Sequence, residues 1–139
     1  MAKGDLMKGT DETERLYEES LALHATCRGK IEIHPKVPLE TRRDLALAYT
    51  PGVAAVCKAI EKDRDLAYRY TMKANTVAIV TDGSAVLGLG NIGGYAAIPV
   101  MEGKALIYKK FAGIDAFPLC FERYQSDFVD QVRNIAPVF

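Results

Sequence analysis

Leu16, Tyr17, Leu21 and His24 recur at helical spacing on a polar background that opens with Asp11 and Glu14, a capping pair. This spacing predicts an amphipathic helix that runs to Thr26 and is ended by Gly29. Ile31 and Ile33 then alternate with Glu32 and His34 ahead of Pro35, the period of a short strand. Arg42 to Ala48 reads as a short helix. Thr50 before Pro51 has the order of an N-cap and a first helical residue, so a further helix is expected to start at Pro51. Its apolar side carries Val53, Ala54, Val56, Cys57 and Ile60, and its polar side Lys58, Glu61 and Lys62. Another short helix is expected over Arg64 to Tyr70.

Thr76 to Thr81 is a continuous apolar, β-branched run bounded by Asn75 and by Asp82-Gly83, the pattern of a strand buried on both faces of a parallel sheet. A glycine-rich turn follows, then a helix from about Ile92 to Phe111, a strand over Ala116 to Phe121, and a helical segment over Asp127 to Ile135. Pro99 should kink or split the long helix, because it has no N–H for the preceding turn and its ring clashes there. These elements place the chain in the α/β class: a small, mostly parallel sheet flanked by helices, with an N-terminal helical segment over residues 1–28.

A chain of 139 residues with 49% hydrophobic and 26% charged residues is expected to fold as one compact unit without staples. Its 18 basic and 18 acidic residues cancel, which argues against nucleic acid or an anionic membrane as partner. With no apolar stretch long enough to span a bilayer or serve as a signal peptide, the expectation is a soluble, cytoplasmic protein. Cys27, Cys57 and Cys120 form no disulfide framework or zinc cluster, and His24 and His34 have no ligand spacing, so no metal ligand is assigned.

Gly88-Leu89-Gly90-Asn91-Ile92-Gly93 fits G-x-G-x-x-G, which brings backbone close to a phosphate at a helix N-terminus. A full dinucleotide site also needs an acidic residue about 20 positions on, to hold the ribose. Tyr108, Lys109 and Lys110 occupy that region, and Glu122 is too distant, so a tight-turn or partial-contact role is expected instead. Tyr49 precedes the expected helix start at Thr50-Pro51, where unpaired amides and the positive dipole end favour a substrate carboxylate or a phenolate; packing is the other reading. Lys104 becomes a general base if a cleft desolvates it, and is otherwise a solvated lysine. Asp44, Asp82 and Asp115 are polar groups near element ends that serve equally as caps or turn residues. No G-x-S-x-G elbow, Walker loop or H-E-x-x-H pair is present.

Four ordered blocks carry a resemblance: Asp44 to Ala54 (DLALAYTPGVA), Thr81 to Gly93 (TDGSAVLGLGNIG), Pro99 to Lys104 (PVMEGK) and Phe111 to Asp115 (FAGID). Over about Gly29 to Phe139 the chain resembles the N-terminal domain of the short, prokaryotic type of malic enzyme. The resemblance implies oxidative decarboxylation of malate to pyruvate and carbon dioxide, with NAD or NADP and a divalent metal such as Mg or Mn. It also implies that Lys104 takes the C2-hydroxyl proton and Tyr49 protonates C3 of the enolate, and that the protein is a homo-oligomer, a dimer. Val86, Gly88, Leu89, Gly90, Asn91 and Gly93 match a stretch thought to contact the cofactor, whose main binding fold lies downstream in the family. Larger malic enzymes have a substrate-binding arginine where this chain and the short type have Ala85.

In the family an acidic metal-binding pair follows the segment resembling Asn134 to Phe139, where this sequence stops. The chain alone is therefore expected not to complete turnover, since the metal stabilises the enolate. Competing readings are a noncatalytic dimerisation or ligand-binding module and an autonomous nucleotide-binding domain.

Overall fold

The computed structural model describes residues 11–122 and 127–139. The chain divides into two compact units, Met1–Lys30 and Ile31–Phe139. In the first, α1 spans Asp11–Cys27, with Asp11, Glu12 and Glu14 in its first turn, where the positive end of the helix dipole favours them. Arg28 and Gly29 follow with positive φ and turn the chain out of the helix.

The second unit opens on irregular chain. Ile31 to His34 does not form the expected strand, and Ile33 is 81% exposed. A two-residue alternation makes a strand only where a neighbour offers a ladder, and none is present beside it among the described residues. α2 (Arg42–Ala48) starts on a capping box: the Asp44 N–H donates to Thr41 Oγ1 at 3.1 Å and the Thr41 N–H donates to Asp44 Oδ2 at 2.9 Å. The Thr41 hydroxyl and N–H hold the Asp44 carboxyl below the usual carboxylate range. Thr41→Ala is expected to cost α2 about 1 kcal/mol, read as faster amide exchange at Asp44 and Leu45.

α3 covers Val53–Lys62, with Gly52 at its N-cap and no side-chain cap. The expected start at Pro51 is thus displaced: Gly52 and Val53 donate back to the carbonyls of Ala46 and Tyr49. A 3-10 turn at Arg64–Leu66, α4 (Ala67–Tyr70) and a 3-10 turn at Met72–Asn75 lead into the sheet.

β1 (Thr76–Thr81) and β2 (Asp115–Cys120) run parallel, with Thr76 opposite Asp115 and Thr81 opposite Cys120. Parallel strands need a long crossover, which α5 (Gly93–Ala112) provides. α5 stays continuous through Pro99, contrary to the expected break. Pro99 removes one donor, the one for the Tyr95 carbonyl, while Gly94 and Ala97 before it and Met101 and Ala105 after it are buried along one side of the helix. Packing on both flanks outweighs that single loss.

Ala97, Met101 and Ala105, with Val86, make up the buried apolar core among the described residues. All twelve strand residues are only half-buried, so the expectation of a strand covered on both faces is not met. The physical reason is the size of the sheet: two strands expose most of what a wider sheet would cover. Beyond β2, α6 (Phe128–Ile135) sets Phe128 edge-on to Phe121, and Phe139 packs edge-on to Phe117.

A polar clamp ties the starts of the two strands together. Asn75 Nδ2 donates to the Gly113 carbonyl at 2.8 Å and to Asp115 Oδ2 at 3.3 Å, and Lys109 Nζ donates to Asp115 Oδ1 at 2.6 Å. The Lys109 hydrogen bond, then that of Asn75, holds the Asp115 carboxyl below its ordinary value. A depressed carboxylate contributes stability above its unfolded pKa and loses it as pH falls through the folded one. An NMR titration should show Asp115 protonating below the usual aspartate range, and Lys109→Met should move that midpoint upward. An unchanged midpoint would mean the pair is solvated apart.

Candidate active site

The segment between β1 and α5 is shaped by its own backbone. Val86 and Gly90 exchange both N–H···O bonds at 2.8 Å, and the Leu89 N–H also donates to the Val86 carbonyl at 3.0 Å, closing a tight hairpin. Gly88, Gly90 and Gly93 all have positive φ, the region in which a Cβ is strained. Positive φ at these three positions gives the glycine spacing a backbone reason within the segment itself. The Ile92 and Gly93 amides both donate to the Gly83 carbonyl, at 3.0 and 3.3 Å. That carbonyl occupies the mouth of α5, where a phosphate would otherwise find those two donors.

Asp82 orders the start of the segment through Ser84. Its Oδ1 accepts from Ser84 N at 3.0 Å and Ser84 Oγ at 2.7 Å, bonds that hold its carboxyl below the usual range. Gly83 is irreplaceable here, since a Cβ on it would lie 2.1 Å from the Gly93 carbonyl oxygen. Gly94 is equally constrained, with its Cβ position 2.1 Å from the Phe121 carbonyl oxygen. Neither Gly83 nor Gly94 belongs to the G-x-G-x-x-G motif. The available signals were the Asp82-Gly83 pair closing a strand and the doubled glycine at a helix start.

Tyr49 is the C-cap of α2: its N–H donates to the Leu45 carbonyl at 2.9 Å, and its own carbonyl accepts from Val53 at 2.7 Å. It is a hinge between α2 and α3, and its ring is exposed. The expected anion site at the following helix start is not formed. The amides of Gly52, Val53, Ala54 and Ala55 all donate to backbone carbonyls, and the C-terminal end of α2 carries the opposite dipole. Lys104 lies on α5, exposed to solvent between the buried Met101 and Ala105. No hydrogen bond joins Tyr49 to Lys104. Within this chain alone, neither side chain is desolvated.

Among the described residues no group of three His, Cys, Asp or Glu side chains is placed to hold a metal ion. His24 bonds to the Ser20 carbonyl and His34 to Glu32. The three cysteines are free, and burial pushes the Cys120 thiol pKa up. No helix of the described residues is long and apolar enough to cross a membrane.

Fold and turn define an α/β domain in which a parallel strand pair is joined through a glycine-rich strand-to-helix turn. Comparison with known proteins makes the family specific. The family model "Malic enzyme, N-terminal domain" matches residues 28–132. The chain is 58% identical over 112 residues to the NAD-dependent malic enzyme of Geobacillus stearothermophilus, covering 80% of this chain and 23% of that protein. It is 50% identical over 128 residues to the NADP-dependent malic enzyme of Escherichia coli, covering 91% and 17%. The crystal structure of the NAD-dependent malic enzyme of Thermotoga maritima superposes with a TM-score of 0.83 at 49% identity, over 86% of this chain and 34% of that one. The chain belongs to the malic enzyme family and corresponds to its N-terminal domain.

Proposed function

We infer that this chain is the N-terminal part of a cytoplasmic, dimeric malic enzyme and supplies its acid–base pair for the conversion of malate to pyruvate and carbon dioxide. The family match over residues 28–132, with relatives that are malic enzymes, carries this reading. Lys104, as the neutral amine, accepts the proton of the C2 hydroxyl while the C2 hydride leaves. The resulting keto acid loses carbon dioxide to give an enolate. Tyr49 donates its phenolic proton to C3, releasing pyruvate, and is reprotonated from Lys104.

Two features shape how the chain contributes. Both side chains are exposed here, so the desolvation that favours a neutral lysine amine, the form able to act as a base, must come from polypeptide that covers them. NAD or NADP, when bound, accepts the hydride. Val86, Gly88, Leu89, Gly90, Asn91 and Gly93 would touch it through the rim of the hairpin, since most of the turn's amides are engaged internally. The described residues do not fit the divalent cation that the family resemblance implies, so no step is derived through it.

The chain by itself is expected to show no malate-dependent reduction of NAD or NADP. The decisive test replaces the matching segment of the Geobacillus stearothermophilus enzyme with this chain and follows malate-dependent NAD reduction. Turnover supports the reading. A folded hybrid without turnover overturns it in favour of a noncatalytic dimerisation or ligand-binding module.

A further inference from the structure

Asp82-Gly83 is the only Asp-Gly pair of the chain, and the sequence holds no Asn-Gly. Because glycine has no side chain to shield its nitrogen, such a pair is where a carboxyl side chain most readily closes on the following amide. Here the pair lies between two anchored points. Thr81 ends β1, and its carbonyl accepts from the Phe121 N–H at 2.8 Å. Gly83 is buried, and its carbonyl accepts from the amides of Ile92 and Gly93. Asp82 is the residue that joins them.

The contacts of the folded chain oppose ring closure. The Gly83 N–H donates to Thr81 Oγ1 at 3.0 Å, a bond the nitrogen must give up, with its proton, before it can bond to carbon. Ser84 N and Ser84 Oγ both donate to Asp82 Oδ1, at 3.0 and 2.7 Å, and resist the swing of the carboxyl carbon onto that nitrogen. Hydrogen bonds to a carboxylate also favour its ionised form, whereas the neutral acid is the form that loses an oxygen as water. The Asp82 carboxyl is accordingly held below the usual range. The rearranged product fits no better. Isoaspartate runs the main chain through Cβ and Cγ and so adds a carbon between Thr81 and Gly83, yet a Cβ placed on Gly83 would already lie 2.1 Å from the Gly93 carbonyl oxygen.

We propose that Asp82-Gly83 is a modification site, the place where this chain converts to isoaspartate, and that Ser84 and Thr81 hold the conversion back in the folded state. The Gly83 nitrogen bonds to Asp82 Cγ, and its proton leaves with the carboxyl hydroxyl as water. Water then cleaves the bond between the Gly83 nitrogen and the Asp82 main-chain carbonyl carbon, leaving a free α-carboxyl group and a chain routed through Cγ. The chemistry is independent of the catalytic reading above, since it needs only water.

In mildly acidic buffer the tryptic peptide Ala74–Lys104, which contains no other aspartate, reports the conversion. Asp-N endoproteinase cleaves before aspartate but not before isoaspartate, so the resistant fraction is the isoaspartate content. The chain unfolded in urea should convert about tenfold or more faster than the folded chain, where the pair reacts only through local opening. Folded Ser84→Ala should convert about fivefold faster than the unaltered chain, the weight of one modest hydrogen bond, and Ser84→Thr, which keeps the hydroxyl, should match the unaltered chain. If amide exchange shows that Ser84→Ala has lost the Val86–Gly90 pair, the urea comparison decides. Equal rates in the folded and unfolded chain overturn the proposal. So does a folded Ser84→Ala variant that converts no faster than Ser84→Thr, or an unfolded chain that forms no isoaspartate at this position.

Discussion

Gly94→Ala is expected to destabilise the second unit by about 3 kcal/mol, the upper range for forcing an extra group into a filled space. The added Cβ would lie 2.1 Å from the Phe121 carbonyl oxygen and 2.7 Å from its carbon. Both are backbone atoms, so no rotamer change relieves the clash. α5 must instead move off the end of β2, dragging Ala97, Met101 and Ala105 out of the core. Gly103→Ala on the same helix provides the control, because nothing lies within 4 Å of its Cβ position. It should raise stability by about 0.5–1 kcal/mol, by lowering the freedom of the unfolded chain. Urea titrations of the two variants should move the midpoint in opposite directions with an unchanged slope. Equal losses would show that helix entropy rather than close approach governs both sites.

In the hybrid enzyme, Lys104→Met and Tyr49→Phe should each lower kcat by about 10²–10⁴-fold, the range for a positioned proton-transfer group. Stability should hardly move in the isolated chain. Tyr49 is 66% exposed and Lys104 faces solvent, and surface substitutions of this kind stay within about 0.5 kcal/mol. The dissociation between the two readouts is the informative result. A parallel fall in activity and stability would identify both as packing residues. Tyr49→Phe is the sharper variant, since it keeps the ring between α2 and α3 and removes only the hydroxyl that carries the acidic proton.

Much of this protein was written in its local sequence. The strand at Thr76–Thr81, the long helix after the glycine turn, the strand near Ala116 and the final helix each follow from composition and period over a few residues, which set backbone preference directly. The glycine motif was legible as a turn for the same reason: the absence of a ribose-binding acid at the required spacing argued against a full dinucleotide site.

Where the structure departs from these expectations, the backbone partners of a segment lie outside the segment itself. Ile31 to His34 has a strand's alternation, but alternation without a ladder leaves the backbone irregular. Thr50-Pro51 has the order of a helix start, but Gly52 must sit against the carbonyls of Ala46 and Leu47, so the helix begins two residues later than expected. Tyr49 caps the end of α2 instead of preceding the start of a helix.

The sequence by itself determined the family, the order of strands and helices, and the two side chains proposed for proton transfer, because these are carried by residue identity and local spacing. Only the tertiary structure decided that Gly83 and Gly94 are packing necessities and that Pro99 is tolerated in α5. Those outcomes depend on how the turn, the long helix and the strands are laid against one another, which no single segment encodes.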